Sequence, residues 1–421
     1  MIIWYINHYA KPSPFGTSGR SFYLAKALKQ LGYDVLVVSA SHHHTRVRPA
    51  PPEDINMIRH YDNIQYLQLA ARPYKGNGIG RVLNMFDFAR GIRSMAFRVI
   101  SGNLPTPDIL IASSPHIFTY LPAETLAKKF GAKIIFEVRD IWPLSLIELA
   151  GLPYWHPLVL LMSHIEKQAY KRADAVVSLM PNALPHMEPR GLNPERFHYI
   201  PNGVDASEWD ETGAPLPEEH QKVFDWCRQA GKLIVVYSGA HGVPNALEQI
   251  LDINKVVNGM NLPYHFILIG SGAEKDRLIY RAKTEEITFV SFLPRIPKTN
   301  ILSAIKQADV GFISLKDSPI FRFGISPNKL GDYLIAGIPV LYAIKAGNNP
   351  VKDSGAGIEV KPENPSELHE ALMKFCEMKK EERKKMGSLG REYALKNLEW
   401  SMLGKSFTEL CELLKAQIIK K

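Results

Sequence analysis

Short apolar runs, each followed by a helix-length amphipathic segment, recur along nearly the whole chain, and this alternation begins twice. A run of that kind buries as a strand, and the segment after it covers the sheet, so the pattern calls for α/β architecture with parallel sheets. In the first half the spacing predicts strands near 2–7, 34–39, 64–69, 108–112, 133–137, 174–179 and 197–200, with helices over 18–31, 119–130 and 157–171. The second start is Lys232 to Gly239, followed by strands near 264–269, 287–290, 309–314 and 338–342 and helices over 245–258, 297–307 and 327–336. A chain of 421 residues exceeds what one core usually organises, so the restart marks a second domain. The expected boundaries are 1–205, 206–395, and a final helical segment, 396–421, packing back on the first domain. The stretch from Asp205 to His220, with Pro215 and Pro217, reads as an exposed linker and hinge.

Composition narrows the partners. A formal charge of +9 favours an anionic one, yet no nucleic-acid module or basic-aromatic strand platform is visible, so nucleic acid is not expected. The stretch 81–98 mixes aromatics, methionines and four arginines at helical spacing, which fits either a packed helix with a basic edge or a helix lying on an anionic membrane surface. No run reaches the ~18 uncharged residues of a membrane span. The opening Met1 to Ile6 reads as a buried strand rather than a leader. Cys227, Cys376 and Cys411 are scattered without metal or disulfide spacing. A cytoplasmic protein, at most peripheral on the inner face of the cell membrane, is expected.

In open parallel sheets, ligands bind beyond the carboxyl ends of strands, so the turns there carry the functional reading. After the first strand, Gly16 and Gly19 lead into a helix whose first amides favour anions, although the spacing is not that of a dinucleotide fingerprint and a structural turn is the alternative. His116 follows the strand near 108–112. Arg139 and Asp140 crowd the end of the next, where Arg139 can fork onto a phosphate or carboxylate, or simply brace the loop against Asp140. In the second half, Gly239 with His241, and Gly270 with Gly272, offer bare backbone after two strands. Pro327 suits a first helical turn, which makes Ser326 the expected cap and directs the helix amides, with Asn328 and Lys329, toward a diphosphate. Asp332 can accept hydrogen bonds from ribose hydroxyls.

Taken together, the glycine turn, Pro201-Asn202-Gly203-Val204-Asp205, Tyr237-Ser238-Gly239, Ile269-Gly270-Ser271-Gly272 and the segment from Ser326 to Val340 resemble a family 4 glycosyltransferase over nearly the whole length. The S-P-N-K and E-V-R-D-x-W-P forms are similar to the fucosamine-transferase-like branch of bacterial O-antigen and capsule assembly. The resemblance implies the GT-B fold, two Rossmann-like parallel-sheet domains facing across a cleft, and retaining transfer from a nucleotide-sugar, UDP-linked, while the basic, aromatic stretch 81–98 points to a lipid-linked saccharide acceptor. With the donor on the second domain, the candidates for acceptor-side contacts are Arg139, Asp140 and His116, and phosphate neutralisation leans on Lys329, the helix amides and Arg139 or Arg295. The chain departs from the family's paired glutamates, which Gly324 and Asp332 replace, and Asn245 stands near an expected lysine.

No cofactor or metal is expected. His42-His43-His44 points its side chains different ways, and no D-x-D, P-loop, G-x-S-x-G or H-E-x-x-H occurs. Two other functions fit the same motifs: a nucleotide-sugar 2-epimerase, which needs no acceptor, and a nucleotide-sugar-binding protein without activity.

Overall fold

The computed structural model describes all residues except 17, 18, 77, 115, 211, 212, 258–260, 420 and 421. It divides into two compact units, Met1–Gly203 with Phe323–Ile325 and Trp400–Lys421, and Val204–Arg322 with Ser326–Glu399.

Unit 1 is built on strands β1 (Ile2–Ile6), β2 (Asp34–Ala40), β3 (Ile58–Tyr61), β4 (Ile64–Leu69), β5 (Ile109–Ser113), β6 (Lys133–Val138), β7 (Ala175–Ser178) and β8 (Phe197–Tyr199). They form an eight-stranded sheet in the order β3-β4-β2-β1-β5-β6-β7-β8, parallel apart from the antiparallel edge strand β3. Alternate residues face opposite helical layers, as the two-residue period of a strand requires. Ile3, Tyr5, Val35, Val37, Ile109 and Ile111 form one core with the Arg20–Gln30 helix and with Trp400, Phe407 and Leu414 of the final helix, Trp400–Ile419. Tyr23 and Trp400 stack at 6.0 Å with an interplanar angle of 7°. On the other face the helices Ile79–Ile100, Tyr120–Phe130 and Pro157–Arg172 lie side by side, with Phe136 of β6 against Tyr120 and Tyr170.

Unit 2 holds β9 (Leu233–Ala240), β10 (Tyr264–Ser271), β11 (Val290–Leu293), β12 (Val310–Ser314), β13 (Val340–Ala343) and β14 (Gly357–Glu359), an all-parallel sheet in the order β11-β10-β9-β12-β13-β14. Its core runs from Val235 and Tyr237 through Phe266 and Phe312 to Leu372 and Phe375.

Several local expectations are corrected. The stretch after Asp205 is exposed at Pro215, Pro217, Glu218 and Glu219 but is not a bare linker among the described residues: it holds the helix Ala206–Asp210, buries Trp209 to 3 % exposure and buries His220, whose Nε2 lies 3.0 Å from the Pro294 carbonyl. The helix expected over 245–258 is broken into Glu248–Asp252 and Asn254–Val257 after a 3₁₀ turn in which Ala246 takes a positive φ of 47°. The strand expected near 287–290 is Val290–Leu293. Pro327, not Ser326, is the cap of the helix Asn328–Ala336, and it makes no side-chain cap bond.

Candidate functional site

Each sheet reverses its strand order around its first strand, and the chemistry collects at the carboxyl ends there. In unit 1, β1 lies between β2 and β5. Beneath the turns, the buried Glu137 carboxylate accepts from Arg20 Nε (2.7 Å), from Ser113 Oγ (2.6 Å) and from Tyr5 OH (2.5 Å). Burial alone would push its pKa up; Arg20 first, then the hydroxyl donors and Arg139, outweigh that and hold it below the ordinary carboxylate value. Arg20 also donates to the Pro201 carbonyl. The brace of this turn is therefore Arg20–Glu137; among the described residues no ion pair joins Arg139 to Asp140. The Arg139 amide donates to Ser114 Oγ at 2.9 Å, which leaves its half-buried guanidinium and the exposed Asp140 at the rim of the β6 turn.

His116 turns inward, at 1 % exposure, and its Nε2 lies 2.5 Å from His8 Nδ1. The Asn84 amide donates to the His42 and Arg72 carbonyls, so its Oδ1 faces His8 Nε2 at 2.7 Å and must accept. Both rings are neutral at pH 7, because burial lowers His8 to about 3 and His116 well below its usual range. One tautomer follows: His8 carries its proton on Nε2, His116 carries its own on Nε2, and His116 Nδ1 is a buried lone pair with no protein donor among the described residues. Of the expected glycine turn, Gly16 ends a 3₁₀ turn with φ 146° and Gly19 is the N-cap of the Arg20–Gln30 helix, with open space where a Cβ would stand. Thr17, Ser18 and Pro115 lie outside the described residues.

In unit 2, β9 lies between β10 and β12. Leu330, Tyr333 and Leu334 bury one face of the Asn328–Ala336 helix, and Tyr333 OH accepts from the Ser238 amide at 3.0 Å. That anchoring brings Lys329 over the end of β9. Its Nζ donates to Tyr237 OH (2.7 Å) and Asn245 Oδ1 (3.2 Å) and stands 4.0 Å from the Tyr237 ring centre. A Cβ at Gly239 would meet Lys329 Nζ at 3.0 Å, so the glycine makes room for the ammonium. Burial lowers the Lys329 pKa from 10.5 to about 7. His241 is fully enclosed with neither ring nitrogen partnered; burial, then Lys275 and Lys329, lower it to about 4, so the ring is neutral. Asp332 is half-buried, and burial, with Glu208 against Lys298, raises its pKa to about 6.

Two consecutive stretches of the chain match family models, a glycosyl transferase 4-like domain over residues 16–203 and a glycosyl transferases group 1 domain over 224–393. The chain belongs to the GT-B glycosyltransferases. Sucrose-phosphate synthase from Thermosynechococcus elongatus superposes with TM-score 0.75 at 16% identity, covering 99% of this chain and 100% of that one. The structure of Anabaena HepE in complex with UDP and glucose superposes with TM-score 0.67 at 14% identity, covering 98% and 99%. A curated adenine deaminase from Hahella chejuensis is 35% identical over 83 residues only, so this chain spans about a fifth of that protein's length, 21%.

Within this glycosyltransferase the remaining expected residues divide. Ser326, Pro327 and Asn328 precede or begin the helix that carries Lys329 and Asp332. Gly270 and Gly272 serve packing: a Cβ at Gly270 would lie 1.9 Å from the Gly239 carbonyl oxygen, and one at Gly272 2.3 Å from that of His241. Arg295 is exposed after the edge strand β11, two strands from β9. Among the described residues no trio of His, Cys, Asp or Glu is placed to hold a metal ion. Tyr237, Asn245, His8 and Asn84 complete the two clusters. The sequence signalled Tyr237 and His8 only as neighbours of a glycine or a strand end, and Asn245 only as standing near an expected lysine; Asn84, in the middle of a helix, carries no local signal.

Proposed function

We propose that this glycosyltransferase moves a sugar, an N-acetylated aminosugar in our reading, from a UDP-linked donor to a lipid-linked glycan acceptor in the assembly of bacterial surface polysaccharide such as O-antigen or capsule. The observation that carries the donor half is Lys329: two of its three protons are held by Tyr237 and Asn245, and the third has no acceptor among the described residues. A diphosphate docked over Gly239 would accept that proton and draw Lys329 back to its charged form. The helix amides beside it add polar contacts, and the enclosed, neutral His241 lies beneath the same strand end. With a pKa of about 6, Asp332 is a carboxylate at pH 7 and can accept from both ribose hydroxyls. The HepE complex with UDP and glucose supports the choice of a UDP-sugar.

On the acceptor side, the rim pair Arg139 and Asp140 contacts substrate, while the enclosed His116 positions His8 from behind. Gly16 and Gly19, which follow β1, let the backbone approach the bound ligand. Departure of the nucleotide diphosphate is then aided by Lys329, and the acceptor hydroxyl attacks the same face of the sugar as the bond to the diphosphate breaks, its proton passing to the departing phosphate oxygen. The protein works at the inner face of the cell membrane, where a lipid-linked acceptor is presented; among the described residues no helix is long and apolar enough to cross a membrane. The test is a thermal-shift screen of UDP-, GDP- and dTDP-sugars followed by transfer to a lipid-linked glycan. Stabilisation by UDP-sugars, with transfer lost in Lys329→Ala and Asp332→Ala, is expected; near-normal transfer in both variants refutes the donor site.

A further inference from the structure

The three helices that cover one face of the unit 1 sheet, Ile79–Ile100, Tyr120–Phe130 and Pro157–Arg172, carry nine Lys and Arg against three acids. All three acids are tied up by bases. Asp87 pairs with Arg72 at 2.6 Å, Glu124 with Lys128 at 2.5 Å, and Glu166 with His186 at 2.8 Å, the last two carboxylates being nearly inaccessible. What these helices turn to solvent is therefore mainly basic and apolar, with Ser94 and Thr125 between. On the first helix one stripe at alternating spacings of four and three, Ile79, Leu83, Phe86, Arg90, Arg93, Phe97 and Ile100, is exposed throughout. Ile79 reaches 79 %, Phe97 76 % and Ile100 63 %. The middle helix adds the exposed Lys128 and Lys129. At the start of the third, Tyr154 (70 %) and Trp155 (75 %) stand beside the exposed Leu160 and Leu161, and Lys167 and Lys171 continue the same helix outward.

We propose that this helical layer is a docking face for a bilayer rich in anionic lipid, with Phe97, Ile100, Trp155 and Leu160 entering the interface and the Arg and Lys side chains holding phosphate headgroups. Large exposed apolar side chains lose water on burial there, and aromatic rings favour the headgroup boundary. The basic residues between them select the charge of the surface. A second copy of the chain is the poorer occupant, because a self-complementary interface through this face would bring Arg90 and Arg93 against the same basic surface of its partner. The proposal gives a physical site to the membrane part of the function proposed above and rests on that reading only for its purpose; the contact itself requires neither donor nor acceptor.

The test is flotation of the full-length protein with vesicles of phosphatidylcholine alone and of phosphatidylcholine with 30 mol% phosphatidylglycerol, in low salt and in 0.5 M NaCl. Binding to the anionic vesicles alone, weakened at least tenfold by the high salt and by R90E/R93E, and several-fold by F97S/I100S or W155S, is expected. Brominated lipid should also quench Trp155, and the quenching should disappear in Trp155→Phe. All the substituted side chains are exposed, and unchanged unfolding temperatures would show that the variants fold. Failure to bind anionic vesicles, or undiminished binding by R90E/R93E, overturns the proposal, as does concentration-dependent self-association abolished by the same substitutions. Stabilisation by UDP is measured on the same preparations: if it persists without vesicle binding, the docking face falls and the donor site stands, and the reverse pattern sinks the donor site alone.

Discussion

Lys329→Met is the most demanding perturbation of the donor site because it predicts a gain in stability with a defined pH dependence. In the unfolded chain a lysine titrates near 10.5, whereas in the folded protein burial brings Lys329 to about 7. Below pH 7 both states hold the proton, and the folded state bears the full penalty of enclosing the charge. From pH 7 to 10.5 the unfolded chain binds the extra proton, so stability rises with pH by at most about 1.4 kcal/mol per unit. Lys329 keeps part of its surface open and rests on the Tyr237 ring, which reduces the effect. Between pH 7.5 and 9.5 the wild type should therefore gain about 1–3 kcal/mol relative to Lys329→Met, which starts out the more stable protein. Urea titrations followed through tryptophan emission measure this, since unit 2 carries Trp209 and Trp226. A bound diphosphate should recharge the amine, so UDP binding at pH 8 should take up protons, seen as binding heats that differ between Tris and phosphate buffers. Parallel stability curves for the two proteins, or proton uptake that survives in Lys329→Met, would refute the reasoning.

Asp332 should behave in the opposite sense: its carboxyl is raised from 3.8 to about 6, so its contribution is present at low pH and lost as pH rises through 6. Asp332→Asn is expected to stabilise the protein at pH 7 by about 1–3 kcal/mol, with the gap closing by pH 4, while the KM for donor rises; a pH-independent gap would count against this. Gly270→Ala places a methyl 1.9 Å from the Gly239 carbonyl oxygen, backbone against backbone, and should lower stability by roughly 1–3 kcal/mol or more in chemical denaturation. Arg20→Met leaves Glu137 charged and enclosed and should lower stability by about 3–5 kcal/mol, with partial recovery when Glu137→Gln is added; thermal unfolding of the single and double variants reads the coupling.

The central strands were legible because they are buried on both faces, which leaves unbroken apolar runs such as Ile109 to Ala112 and Leu233 to Tyr237. The edge strands β3 and β14 were missed and β11 was displaced, since an edge buries less and its residues, Ile58-Arg59-His60-Tyr61 for example, need not be apolar. Lys329 and Asp332 could be picked out as chemistry after a proline-started helix. Their surroundings could not. The partners of Lys329 lie 92 and 84 residues away, and the site depends on Tyr333 docking that helix against β9 and β12.

The glycines show the same division. Gly239, Gly270 and Gly272 announce backbone approaching something closely, and only the register of β10 on β9 reveals that for two of them it is a neighbouring carbonyl. Composition placed a positive charge on the chain; tertiary packing put much of it on one helical layer by pairing every acid of that layer with a base. The order of apolar and polar residues along the chain thus determined two parallel α/β sheets and which strand ends carry reactive groups. Which groups meet, and with what pKa, was decided by the three-dimensional packing, because desolvation and hydrogen bonding depend on partners that parallel crossovers bring in from distant parts of the chain.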